Sequence, residues 1–323
     1  KEPGSVRKLA LKSCRIRNFK AIRDSGTIEF TPLTMFIGNN GSGKSSIIEA
    51  LETMQAIVRD GLDEAMVPWH GFEYIRNQAV PHVLHQPAEG RSYYTNPVSF
   101  DIAGYYSEWK RRDYRPFYRA SLEMNTGDGG NSLFIQHETY AQSGKLRVAR
   151  NSSGLISMSG GEDESSFHVP SYFRNPSNFR IRDGISILKE RGLPHNIPEW
   201  QFVALDPQSM VSPIPHKRTN DPTRLSKDGS NLAAFLLSIR DIDSLVLSGI
   251  VDALRFVMPY AEDIQPAITS ELERSVYLQM TEAGFKLPGW LLSTGTMRIL
   301  ALLALLRHPN PPPVIFVEEI ENG

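Results

Sequence analysis

The 323-residue sequence holds a single cysteine, Cys14, so no internal disulfide can form. Nothing in it resembles a His/Cys metal cluster, and the expected setting is reducing and cytoplasmic. No apolar run approaches the roughly 18–20 residues that a membrane-spanning helix needs, so no membrane role is expected. The amino terminus also lacks the apolar stretch of a secretion signal. Charge of one sign is missing too, since 35 Lys and Arg face 36 Asp and Glu for a net charge of −1. That balance gives no bulk drive toward nucleic acid or an anionic surface, although a local basic face is compatible with it. Internal repeats are absent. What is present is a globular composition, with 40% hydrophobic and 22% charged residues, which excludes wholesale disorder. The length suits one large or two modest domains. The chain opens at Lys1 and stops at Gly323 just after an acidic run, and both ends are expected to be edges of a fragment.

Short extended pieces fill residues 9–36. Leu9, Leu11 and Cys14-Arg15-Ile16 suggest one strand, Thr27-Ile28-Glu29-Phe30 a second, and Leu33-Thr34-Met35-Phe36-Ile37 a third that runs into glycines. Residues 45–57 then read as a helix, with Ile47, Ile48, Leu51, Met54 and Ile57 on one face. Between 98 and 150 the apolar period falls to two, in runs separated by turn residues such as Asn125-Thr126-Gly127-Asp128-Gly129-Gly130, which predicts an antiparallel meander. Residues 157–166 and 211–231 read as loops, the latter carrying His216, Lys217, Arg218, Arg224 and Lys227. Helical spacing returns over 231–239 and 244–257, a strand is predicted at Val276-Tyr277-Leu278-Gln279-Met280, and a strongly apolar helix over 296–306. After the breaker Pro309-Asn310-Pro311-Pro312-Pro313 comes a buried-type strand, Val314-Ile315-Phe316-Val317. The expected segments are 1–210, a lobe with the meander; 211–300, a helical lobe; and 301–323, a return to the first sheet.

Gly38-Asn39-Asn40-Gly41-Ser42-Gly43-Lys44-Ser45 matches the phosphate-loop pattern G-x-x-x-x-G-K-[ST] at every fixed position. Glycines there allow positive φ and let backbone N–H groups approach phosphate oxygens, while the helix that follows directs its positive end at the same anion. Lys44 can reach β- and γ-phosphates and the Ser45 hydroxyl can ligate Mg²⁺, so the expected cofactors are ATP and Mg²⁺. Asn39, Asn40, Gly41, Ser42, Gly43, Lys44, Ser45 and Ser46 are the candidate nucleotide-binding residues. The plainer alternative is a Gly/Asn turn before a helix.

The carboxy terminus narrows the class. An apolar strand ending in Glu318-Glu319 places one carboxylate where it can hold the metal (Glu318) and one where it can polarise an attacking water (Glu319). Glu319 and Lys44 are thus the candidate catalytic residues, and Ser45 and Glu318 the metal ligands. Leu292-Ser293-Thr294-Gly295-Thr296 opens a long helix and offers a second anion site. One nucleotide does not need two such sites from one chain, but a head-to-tail dimer does; an ordinary helix cap is the alternative. Ser159-Gly160-Gly161 imitates the same signature but is followed by Glu162-Asp163-Glu164, which repels phosphate.

Taken together, Ile16-Arg17-Asn18-Phe19-Lys20 and Phe36-Ile37 before the phosphate loop resemble the opening of ABC-type ATPase heads of the RecF, SMC and OLD kind. Lys227-Asp228-Gly229-Ser230-Asn231-Leu232, Leu292-Ser293-Thr294-Gly295-Thr296 and Glu318-Glu319-Ile320-Glu321-Asn322-Gly323 resemble the AAA_21-type ATPases of bacterial defence loci. The resemblance implies an α/β P-loop NTPase fold, an ABC-ATPase-like head with a mixed sheet, an antiparallel β layer and an inserted helical lobe. It implies an ATPase that dimerises around two ATP·Mg²⁺ through Ser293, Gly295 and Thr296. Such a cycle would gate an effector, a nuclease being one candidate, in antiphage defence or DNA maintenance. A repair ATPase that binds DNA directly and a non-hydrolysing nucleotide-dependent scaffold are the alternatives. Glu318-Glu319 stands where many ABC proteins have Asp-Glu. The family's γ-phosphate-sensing glutamine has three candidates here, Gln78, Gln201 and Gln208, and its histidine after the acidic pair would follow Gly323.

Weaker features remain. His82 and His85 are three apart, flanked by Pro81 and Pro87, and read as surface residues before metal ligands. Lys110-Arg111-Arg112 with Tyr105, Tyr106, Tyr114 and Tyr118 mixes basic and aromatic residues as nucleic-acid surfaces do, against the plainer reading of a solvated hairpin tip. Lys20 and Arg23 are candidates for a nucleotide or DNA contact, or simply surface residues.

Overall fold

Apolar residues at alternate positions, broken by turn residues, build the largest element. The computed structural model describes residues 9–87, 91–106, 117–142, 146–159, 180–189, 193, 195–217, 224–269 and 274–320. The chain divides into two compact units, Lys1–Trp200 and Gln201–Gly323.

In the first unit, β1 (Leu9–Phe19), β2 (Ile22–Asp24), β3 (Ile28–Glu29), β6 (Val98–Tyr106), β7 (Tyr118–Gly127), β8 (Ser132–Gln142), β9 (Leu146–Arg150) and β10 (Ile156–Ser159) form one sheet in the order β10-β9-β8-β7-β6-β1-β2, with β3 also on β1. Every pairing in it is antiparallel, as the period-two pattern predicts. A two-residue pair, β4 (Leu84–His85) and β5 (Tyr93–Tyr94), stands apart. One face of the sheet is apolar: Ile16, Phe19, Phe100, Leu122, Met124, Tyr140 and Val148 are all buried. The phosphate-loop helix α1 (Lys44–Arg59) buries Ala50, Leu51, Met54, Ile57 and Val58 and continues into the short α2 (Leu62–Met66). Burying each large side chain contributes about 1.5–3 kcal/mol, so the amphipathic spacing of α1 is what fixes it.

The second unit pairs β11 (Gln201–Val203) in parallel with β16 (Ile315–Val317). A four-stranded antiparallel sheet joins β12 (Ile214–Pro215), β13 (Asp263–Ile268), β14 (Ser275–Glu282) and β15 (Phe285–Pro288). The helices are α3 (Pro207–Met210), α4 (Leu232–Ile242), α5 (Ser244–Val257) and α6 (Thr294–Arg307). Their apolar faces make one core from Leu232, Leu236, Leu247, Ile250, Leu254, Met297, Leu300 and Ala304 with Ile264, Leu278 and Met280 of the sheet.

Three expectations are corrected. The segments bounded at 210 and 300 differ from the two units, because β11 pairs with β16 and α6 packs on α4 and α5, so residues 201–210 and 301–320 go with the helical lobe. The strand predicted at residues 33–37 does not form. Thr31 and Thr34 close a side-chain turn around Pro32, which has no N–H to give a ladder, and Leu33 and Ile37 are 81% and 89% exposed. Ser157 to Ser159, expected in a loop, form the β10 ladder against β9.

Candidate functional site

The phosphate loop keeps the backbone its glycines were expected to allow. Gly41 has φ 81° and Gly43, the residue before α1, φ 92°. A side chain at either position would be strained, which is why glycine occupies both. Ser42 N–H donates to the Asn39 carbonyl at 3.2 Å and closes the turn. Among the described residues no side chain caps α1, and no acidic residue sits in its first turn, so the N–H groups and the positive end of the helix face the loop uncompensated there. The Lys44 ammonium folds over the loop, donating to the Gly38 carbonyl at 2.5 Å and to Asn39 at 3.0 Å. Asn39, Asn40, Gly41, Ser42 and Ser45 are exposed, while Gly43, Lys44 and Ser46 are half-buried. A cation over the loop and the N–H groups at the start of α1, beside exposed backbone, are the donor set a polyphosphate requires.

In the second unit, Glu318 and Glu319 follow β16 directly. Glu318 N–H donates to the Val203 carbonyl at 2.9 Å, extending the pairing with β11 by one residue. Glu319 turns into the left-handed region, φ 54°, and its side chain is exposed. A non-glycine residue there costs on the order of 1 kcal/mol, and such strain clusters at functional sites. Ser293 is the N-cap of α6: its Oγ accepts Thr296 N–H at 3.1 Å and lies 2.7 Å from Thr296 Oγ1. Ser293 and Thr294 are exposed, Gly295 is half-buried and Thr296 is buried. The 226–231 turn is tied by Ser226 N–H and Oγ to Asn231 Oδ1, and by Asn231 Nδ2 to the Arg224 carbonyl. Ala204 and Asp206 N–H groups bond to the Lys227 and Asp228 carbonyls, so the Lys227-Asp228-Gly229-Ser230-Asn231 motif anchors the start of α4.

Residues 33–323 match the family described as "AAA domain, putative AbiEii toxin, Type IV TA system". The chain belongs to this AAA family. Its fold is accordingly that of a P-loop NTPase with a mixed α/β content and an antiparallel sheet. A solved structure of the recombination mediator protein RecF with ATP, from the RecFOR pathway, is similar at 10% identity and a TM-score of 0.37, covering 98% of this chain and 88% of that one. No curated protein matches the chain.

The remaining candidates of this AAA chain separate by environment. Gln201 is buried on β11 with its amide donating to the Leu225 carbonyl at 2.9 Å, so it is engaged within the second unit. Gln78 Nε2 donates to the Glu73 carbonyl at 2.8 Å, and Gln208 is exposed in α3. His85 lies in β4 against Tyr93, and His82 Nε2 is 3.0 Å from the Asn77 carbonyl. Lys20 is paired with Glu49 at 2.6 Å and lies over Trp69. Tyr118, grouped by sequence with a basic tip, is fully buried and stacked on Tyr140. Lys110-Arg111-Arg112, Tyr114, Arg218 and the Gly160-Gly161 pair lie outside the described residues.

Sequence reading missed a buried polar group beside α1. Gln55, Glu138, Arg150 and Ser186 are all buried. Glu138 Oε2 accepts Ile187 N–H at 2.8 Å and Oε1 accepts the Ser186 hydroxyl. Burial pushes the Glu138 carboxyl up to about 7 despite those donors and the nearby Arg150. Burial also lowers His195, partly offset by its bond to the Leu188 carbonyl. The one local signal was its position on β8, two residues before the inward-facing Tyr140.

Proposed function

We propose that this chain binds ATP with Mg²⁺ at residues 38–46 and hydrolyses it. The observation that carries the proposal is the loop itself: two left-handed glycines, an uncapped α1 and the Lys44 ammonium held on the Gly38 and Asn39 carbonyls. Phosphate oxygens would replace those carbonyls as acceptors, with the N–H groups of residues 41–46 completing the cradle. Ser45, exposed on the first turn, and Glu318 have the hard oxygen donors that suit Mg²⁺, whose contribution is to neutralise charge between β- and γ-oxygens. Glu319 would orient and polarise the attacking water.

The reading extends to a dimer in which Ser293, Gly295 and Thr296 of one copy meet the nucleotide of another. The exposure of Ser293 and Thr294 and the open side of Gly295 support this. The family description, a toxin of a type IV toxin–antitoxin system, supports a cycle that acts on a partner or effector in bacterial defence. A nuclease is one candidate class of effector, and direct binding of DNA is the alternative.

The test is steady-state phosphate release from MgATP by the wild-type chain and by Glu319→Gln. Turnover that falls at least 100-fold in the variant while ATP binding is retained supports the assignment. Equal, near-zero turnover in both with intact ATP binding would leave a nucleotide-dependent scaffold in its place.

A further inference from the structure

The phosphate-loop helix is joined to the meander by a buried chain of polar contacts that has no part in binding phosphate. It starts on the sheet. Arg150, paired across strands with Glu138, donates to the carbonyls of Ile185 at 2.7 Å and of Arg182 and Asp183 at 3.1 Å. Glu138 takes the Ile187 N–H and the Ser186 hydroxyl, and Ser186 Oγ in turn accepts Leu188 N–H at 3.0 Å. The Leu188 carbonyl lies 2.6 Å from His195 Nε2, and His195 Nδ1 accepts Ile197 N–H at 3.4 Å. That pair of contacts requires the neutral ring with its proton on Nε2. Gln55 of α1 closes the chain, its amide donating to the carbonyls of Ile197 at 3.0 Å and Trp200 at 2.7 Å.

Such an arrangement is costly unless every member is satisfied. Apolar packing alone would fix α1 on the sheet at lower cost, and α1 already buries five apolar side chains there. The polar chain adds direction: it joins one face of the helix, through two carbonyls, to one pair of residues on β8 and β9. A helix that moves when its amino-terminal end closes on phosphate must carry Gln55 with it, and the contacts from Gln55 to Glu138 are the ones that register the shift.

Resting on the reading of residues 38–46 as an ATP site, we propose that Gln55 is a positioning residue that couples occupancy of the phosphate loop, through Ile197, His195 and Leu188, to the Glu138–Arg150 pair. The partner is internal: residues 182–189 and 195–200 tighten on the sheet when ATP is bound and loosen when it leaves.

Amide hydrogen exchange read by mass spectrometry tests this on the full chain, with and without MgATP. Exchange across 185–189 and 195–200 should slow at least threefold with MgATP in the wild type and stay unchanged in Lys44→Ala. In Gln55→Met, which keeps volume but removes both donors, ATP should still bind within tenfold of the wild-type Kd while the slowing disappears. A wild type that binds ATP without slower exchange there overturns the coupling, as does a Gln55→Met chain that keeps it. Where Gln55→Met does not fold, the wild-type comparison decides alone. A wild type that does not bind ATP overturns the ATP reading itself, and the coupling with it.

Discussion

Ser293 Oγ accepts the N–H of Thr296 at 3.1 Å, so the residue assigned to a neighbour's nucleotide is also the cap of its own helix. The two roles are separable by substitution. Ser293→Ala removes the cap and should cost about 1 kcal/mol of stability in the second unit. Ser293→Arg loses the same bond but also places a bulky cation at an exposed helix tip. Chemical denaturation and ATP-dependent assembly, measured by light scattering, should therefore disagree: similar stability for both variants, with assembly weakened in Ser293→Ala and lost in Ser293→Arg. Retained assembly in Ser293→Arg would remove Ser293 from the interface.

Lys44 makes a different prediction, because among the described residues its hydrogen bonds are to its own loop. The ammonium donates to the carbonyls of two exposed residues, Gly38 and Asn39. Lys44→Ala should abolish ATP binding, seen as loss of an isothermal titration signal, while changing unfolding free energy by less than about 1 kcal/mol. Loss of binding accompanied by a stability drop of several kcal/mol would mean that the lysine holds the loop together.

How far the chain was readable follows from which forces act locally. The phosphate loop, α1, the meander and α4 to α6 were legible because spacing of apolar residues and glycine chemistry are local signals, and 244–257 is read as a helix with the same limits that α5 shows. Leu33 to Ile37 misled because a strand needs a partner as well as a pattern, and the Thr31–Thr34 turn competes for the same backbone. Tyr118 misled because an aromatic next to a basic run says nothing of which side of the sheet it faces. Gln55 and Glu138 were invisible because their contacts span 142 and 49 positions of sequence, a fact of topology with no local trace.

Glu138 and His195 predict a pH dependence with opposite limbs. Burial raises Glu138 from 4.5 to about 7 in the folded state. The fold therefore favours its proton: the contribution is complete below 4.5 and is lost as pH rises through 7, roughly 3 kcal/mol in all. Burial lowers His195 from 6.5, so its contribution is complete above 6.5 and is lost as pH falls below that value. The charges around Glu138 are Arg150 and, beyond it, Asp183, which Arg91 holds at 2.6 Å. In Glu138→Gln the side-chain oxygen can still accept Ile187 N–H and the amide can donate to Ser186 Oγ, so the variant should fold. Denaturation of both chains from pH 5 to 8 separates the limbs. The wild type should lose roughly 2 kcal/mol or less between pH 6 and 8, and Glu138→Gln should be flat from pH 6.5 to 8 while keeping the decline below 6.5. Parallel profiles for the two chains would show that Glu138 stays ionised in the fold, held so by Arg150, and that burial is the weaker influence on it.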